Sequence, residues 1–189
     1  MMLTPQNTIL VLIDVQEKLT AVMHDKEALI INLIKLVKGV QVLDIPIIWL
    51  EQNPDKMGRT LPELRELLSD QSPITKMSFS CCGADGFEAA LQASGRRKQI
   101  LIAGIETHVC VYQTAVELIR GGYSAEVVID AVSSRRITDK ETGLAKIQAC
   151  GAHSASSGQG HITTVETALF ELIRTAEHPS FRDILKVVK

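Results

Sequence analysis

A chain of 189 residues, 46% hydrophobic and 22% charged, suits one globular domain with a sizeable core and needs no linker. Its formal charge of −2 and pI near 6.2 give no basic footprint for nucleic acid, and apolar runs such as 9–13 are far too short to span a bilayer. The N-terminus lacks a basic start followed by a long apolar stretch, so a cytoplasmic location is expected, with no membrane partner.

Strand-like and helical patterns then alternate: strand 8–14, helix 27–43, strand 46–51, helix 62–69, short strand 73–77 and helix 85–94. The second half continues with strand 98–104, helix 109–121, strand 124–130, helix 139–150, short strand 161–164 and helix 165–176. This is the alternation of an α/β protein with a parallel sheet. Leu-Ile-Ala (101–103) and Val-Val-Ile (127–129) lack polar alternation, as strands covered on both faces do. Segment 181–189 reads as a short amphipathic helix with Ser180 as its upstream cap, its apolar residues available to the domain or to another subunit. Residues 152–160 interrupt the pattern, because helix-to-strand connections in such sheets usually take about 2–6 residues. They read as an inserted, solvated polar loop, dispensable for catalysis and for oligomer size.

Three residues carry the chemistry. Cys110 follows an apolar run ending in Gly104 and a tight turn, and it precedes the helical pattern 111–120. Such a strand-to-helix elbow brings a side chain to the carboxyl edge of a sheet, against the positive end of a helix, where the thiol pKa is expected to fall. Asp14 ends the apolar strand that begins the chain. It would face Cys110 if that strand neighbours 100–103, since ligands in a doubly wound sheet bind at the carboxyl ends beside the first strand. Lys76 closes the short segment 74–76, where an ammonium would keep Asp14 ionised and favour a thiolate. Taken singly, each has a plain alternative: a small core residue, a helix cap and a solvated charge. The other cysteines, Cys81, Cys82 and Cys150, form no disulfide or zinc spacing, although Cys81 and Cys82 follow Lys76 closely enough to reach a pocket.

Ile-Asp-Val-Gln-Glu-Lys (13–18), Lys76 with Phe79-Ser80, and Gly-Ile-Glu-Thr-His-Val-Cys-Val (104–111) together resemble the isochorismatase-like, or cysteine hydrolase, superfamily. Glu51-Gln-Asn-Pro (51–54), Asp130-Ala-Val-Ser-Ser-Arg (130–135) and His178-Pro-Ser-Phe-Arg (178–182) bring the resemblance nearer to the isochorismatase domain-containing proteins. The resemblance implies a doubly wound three-layer sandwich whose six-stranded parallel sheet has the order 3-2-1-4-5-6. It also implies a triad of Asp14, Lys76 and Cys110, and an oxyanion hole formed by the backbone N–H groups of Glu106 and Cys110. A cis peptide between Ile105 and Glu106 and assembly into dimers or larger homo-oligomers follow from the same source.

Gln52 reads either as a hydrogen-bond partner for a substrate carbonyl or amide, with Trp49 and Phe79 as apolar walls, or as plain surface polarity, and Thr107 and His108 lie beside the cysteine. A Cys110–His108 dyad is less favoured, because neighbours at this spacing in a turn point apart. The superfamily's nicotinamidases carry metal-binding histidines after the second strand. Here 50–57 contains none, and His153 with His161 lacks a carboxylate partner, so no metal and no cofactor are expected. The leading expectation is a metal-free cysteine hydrolase of a small amide, imide or related carbonyl compound, working through a thioester. The alternatives are vinyl ether cleavage of the isochorismatase type, which uses the aspartate and needs no thiol, and a non-catalytic scaffold that has kept the pocket.

Overall fold

The computed structural model describes residues 2–150 and 160–189. Its first strand, β1 (Thr8–Ile13), is buried throughout, and it pairs in parallel with β2 (Ile47–Gln52) on one side and β4 (Gln99–Ile105) on the other. The short β3 (Ile74–Lys76) lies outside β2, while β5 (Ser124–Ser133) and β6 (Gly160–Thr163) extend the sheet beyond β4. The order is therefore β3-β2-β1-β4-β5-β6, with every pair parallel.

Strand alternation divides the core in two. Leu10, Leu12, Trp49 and Leu101 face α2 (Lys26–Val42), α4 (Pro62–Leu67), α8 (Val165–Ile173) and α9 (Phe181–Val188). Ile9, Val11, Ile13, Ile48, Leu50 and Ile102 face α5 (Phe87–Ala93), α6 (Tyr112–Arg120) and α7 (Ile137–Ala149). Most of these side chains are fully out of water, and burying each contributes about 1.5–3 kcal/mol.

The C-terminal α9 packs on its own domain: Ile184 is buried, and the Phe181 ring lies 6.4 Å from that of Phe170. Ser180 occupies the cap position, but its side chain makes no capping bond. Its carbonyl instead accepts from the N–H groups of Asp183 and Ile184. Two four-residue helices escaped the sequence pattern, α1 (Glu17–Thr20) and α3 (Pro54–Met57), both too short for an amphipathic signal. The last strand starts one residue earlier than expected, at Gly160, and the rest of the inserted run, 152–159, lies outside the described residues. Among the described residues no helix is long and apolar enough to cross a membrane.

At the carboxyl edge the backbone is forced into close quarters. Gly104 has φ 114°, and a Cβ there would stand 2.0 Å from the Ile13 carbonyl oxygen, so only glycine lets the end of β4 close on the end of β1. The residue after Ile13 is Asp14, itself in the left-handed region at φ 54° and tied to β2 by its N–H on the Leu50 carbonyl.

Candidate active site

Three strand ends deliver the candidate residues to one place. Asp14 leaves β1, Lys76 ends β3, and Cys110 sits in a single π-helical turn, Thr107–Val111, that joins the end of β4 to α6. That turn is wider than the ordinary helix start expected at 109. Asp14 and Lys76 are 1% and 2% exposed, and their charges meet at 2.7 Å, Lys76 Nζ to Asp14 Oδ2. Nζ also donates to Gln52 Oε1 at 2.8 Å and to the carbonyls of Phe79 and Ser78 at 3.1 and 3.2 Å. Four acceptors saturate the ammonium. Asp14 Oδ1, in contrast, is buried and has no hydrogen-bond partner among the described residues other than the facing Cys110 thiol.

Burial raises the Asp14 carboxyl above the ordinary carboxylate range, with the Lys76 charge opposing it. Burial pushes the Cys110 thiol up to about 12, and the Asp14 negative charge pushes in the same direction while Lys76 only partly offsets it. The thiol at rest is therefore protonated. This corrects the expectation of a lowered thiol pKa, which counted the helix terminus and the lysine but neither the loss of water nor the facing carboxylate.

A cavity of about 250 Å³ opens over these groups, lined by Asp14, Leu19, Gln52, Asn53, Met57, Phe79, Ile105, Glu106, Val109 and Cys110. Phe79 thus stands at the pocket, 56% exposed at its rim. Gln52 stands there too, but its side-chain amide is engaged in structure: Oε1 accepts from Lys76, and Nε2 donates to the Met77 carbonyl at 3.0 Å. Trp49 lies elsewhere. Three residues before Gln52 on the same strand, it points to the opposite face of the sheet and is buried in the α2 and α4 core. Thr107 and His108 turn toward the end of β5, where Thr107 Oγ1 donates to the Ser133 carbonyl at 3.0 Å and His108 Nδ1 is 3.0 Å from Ser134 Oγ. The Ile105–Glu106 peptide is cis. The Glu106 N–H donates no hydrogen bond among the described residues, and Glu106 Oε2 accepts from both the backbone N–H and the Nε of Arg135 at 3.1 Å.

Sequence reasoning assigned no role to Gln16 or Asn53. Gln16 is fully buried; its Nε2 donates to the Gln52 and Gly58 carbonyls at 3.0 and 2.6 Å, and its Oε1 accepts from the Gln52 N–H at 2.7 Å. It clamps β2 to the segment that carries Asn53 and Met57. Glu51 anchors the far end of that segment, accepting from the Thr60 N–H and Oγ1 at 2.7 and 2.9 Å. The signal was available: a glutamine two residues beyond a strand-end aspartate, inside a motif already singled out.

Among the described residues the donor set around the pocket is poor in metal ligands. The carboxylate nearest in sequence to Gln52, Glu51, is spent on Thr60 and Arg59, residues 50–57 contain no histidine, and no group of three or more His, Cys, Asp or Glu among the described residues is arranged to hold an ion.

The Isochorismatase domain family model matches residues 8–159. The chain belongs to the isochorismatase family. Isochorismatase domain-containing protein 2A of Mus musculus is 33% identical to it over 185 residues, which cover 98% of this chain and 84% of the mouse protein. Among solved structures, that described as MAR1 ribonuclease from Caenorhabditis elegans superposes with a TM-score of 0.89 and is 32% identical, covering 100% of this isochorismatase-family chain and 92% of the nematode one. The Escherichia coli YcaC gene product, described as an octameric hydrolase of unknown specificity, superposes with a TM-score of 0.84. It is 22% identical and covers 99% of this chain and 96% of that one, which shows a shared fold.

Proposed function

We propose that this chain is a metal-free cysteine hydrolase of small carboxamides, imides or related carbonyl compounds, with Asp14, Lys76 and Cys110 as its triad. The observation that carries this reading is the convergence of a buried, lysine-held carboxylate and a cysteine on one small pocket, with one carboxylate oxygen free of any partner but the thiol. In the mechanism, Asp14 Oδ1 takes the thiol proton as Cys110 Sγ attacks the carbonyl carbon. The raised thiol favours proton transfer in step with attack, because a free thiolate is scarce at neutral pH. The raised carboxyl of Asp14 is the better base for it. The backbone N–H groups of Glu106 and Cys110 receive the oxyanion, and the Glu106 donor is free of other bonds. Asp14 then gives the proton to the departing amine and the carbon–nitrogen bond breaks, leaving a thioester on Cys110. Asp14 next removes a proton from water; the water oxygen attacks the thioester, and the thiol leaves with that proton. Lys76 holds Asp14 in place throughout. The test is intact-mass analysis of the protein after incubation with a panel of carboxamides, with Cys110→Ala as control. An acyl adduct present in the wild type and absent from the variant supports the reading, and release of acid without any dependence on Cys110 overturns it.

Two other reactions are separable by their products and variants. The family name favours vinyl ether cleavage, which would survive Cys110→Ala. The description of the nematode relative favours RNA hydrolysis, which predicts oligonucleotide fragments that vanish in Asp14→Asn. The cavity offers phosphates no lysine, arginine or histidine, and so supports the carbonyl reading over this one. Assembly belongs with this reading: Phe79 at the pocket and the nearby Met77, 56% and 70% exposed, are apolar side chains that a second copy of the chain would cover, and the octameric description of the Escherichia coli protein supports a homo-oligomer.

A further inference from the structure

The cavity beside Cys110 has an uneven chemical character. Two of its ten lining residues are acids, Asp14 and Glu106, and none is a lysine, arginine or histidine. The one cation behind it, Lys76, has its side chain wholly out of water and all its protons directed at four acceptors. It has no proton left for an anion in the pocket. Arg135 is engaged with Glu106 Oε2, and Glu106 Oε1 accepts no hydrogen bond among the described residues. Five apolar side chains, Leu19, Met57, Phe79, Ile105 and Val109, supply most of the remaining wall. Two uncharged amides complete it, Gln52, whose amide is engaged with Lys76 and the Met77 carbonyl, and Asn53. The Asn53 backbone is fixed at φ 38° by its N–H on the Lys76 carbonyl, and the Asn53 side-chain amide makes no hydrogen bond among the described residues.

We propose that the pocket takes uncharged primary carboxamides with a small branched or linear aliphatic acyl group, and that Glu106 sets this choice by repelling acyl groups that carry a carboxylate. This rests on the hydrolase reading above and narrows its substrate. A carboxylate at the far end of the acyl chain would lose its water against apolar walls and find no cation among the lining residues, while the Glu106 carboxylate, only partly offset by the exposed Arg135, adds a like charge. A neutral amide meets groups that suit it: the Glu106 and Cys110 backbone N–H groups for its C=O, the uncharged Asn53 for its N–H, and the apolar wall for its chain. The volume, about 250 Å³, admits an acyl group of a few carbons. The reaction is RCONH₂ + H₂O → RCOO⁻ + NH₄⁺, with no other co-reactant.

The test compares two amides of matched shape, 4-methylpentanamide and succinamate, in which an isopropyl end replaces a carboxylate. Ammonia release gives kcat/KM for each, and intact mass reports the acyl-enzyme on Cys110. The expected wild-type preference for 4-methylpentanamide is at least about 100-fold, consistent with a like charge placed in a dry site. In Glu106→Gln the succinamate-to-4-methylpentanamide ratio of kcat/KM should rise about tenfold, and in the wild type it should rise with added salt. A wild-type preference for succinamate, with its adduct on Cys110, overturns this inference and leaves the hydrolase reading standing. An unchanged ratio in folded Glu106→Gln overturns the role of Glu106. Absence of both adduct and ammonia with either amide overturns the inference together with the reading beneath it.

Discussion

Lys76 Nζ and Asp14 Oδ2 are joined at 2.7 Å with both side chains removed from water, so neither charge has a substitute partner in the solvent. Removing the lysine should therefore cost more than removing a surface charge. Lys76→Met is expected to lose about 3–5 kcal/mol of stability at pH 8, the range for orphaning a buried charge. The sign with pH follows from Asp14. Its carboxyl is already raised by burial and rises further without Lys76, so the penalty applies above the folded pKa and is relieved as pH falls through it. Urea unfolding at pH 5 and pH 8 measures this, and an equal loss at both would show that Asp14 is not the group left unpaired.

Asp14→Asn separates catalysis from thiol reactivity. Turnover should fall by about 10²–10⁴-fold through loss of the base. Alkylation of Cys110 by iodoacetamide should become faster, because the carboxylate that helps push the thiol up to about 12 is gone while Lys76 remains. Peptide mapping over a time course reads both variant and wild type, and slower alkylation in Asp14→Asn would contradict the electrostatic account of the thiol.

Glu126 offers a pH effect remote from the chemistry. It lies on β5, 6% exposed, and burial with the nearby Glu171 charge pushes its carboxyl up to about 7. Its folded pKa lies above its ordinary value, so its contribution to stability is full below about pH 4.5 and is lost as pH rises through about 7. Glu126→Gln removes that loss. The variant should be more stable than the wild type at pH 8 by on the order of 1 kcal/mol, a figure discounted for partial solvation, with the advantage gone at pH 5. Melting curves at the two pH values decide it, and an advantage at pH 5 alone would reverse the assignment.

Hydrolysis should also persist after dialysis against a strong chelator, since the residues after β2 provide no ligand set. Activity lost on chelation and restored by zinc or iron would require ligands from residues outside the described ones, with His153 the first to substitute.

The sheet was legible because its signals are redundant: each strand is a short apolar run, each helix a separate pattern, and the family motifs fall at strand ends. The strand order came from resemblance to the family and matches the pairing of β1 with both β2 and β4. Finer placement failed where one physical term was left out. Trp49 was assigned to the pocket by its nearness to Gln52 in sequence, although the two-residue period of a strand puts positions 49 and 52 on opposite faces. The Cys110 thiol was given the wrong direction because desolvation is a property of the assembled fold, invisible in a list of neighbouring charges. Gln16 was passed over because its partners, Gln52 and Gly58, are some forty residues away and are brought to it only by β2 and the segment that follows.

The enclosure of Lys76 by Asp14, Gln52 and two carbonyls also shapes how this protein can be handled. Amine-directed reagents will modify surface lysines such as Lys186, whose side chain is 77% exposed, long before they meet an ammonium with no water-facing surface. Immobilisation on an amine-reactive resin should thus leave the charge balance around Asp14 untouched. Thiol-directed coupling would be drawn to Cys82, the exposed cysteine, and would leave the buried Cys110 at the pocket untouched.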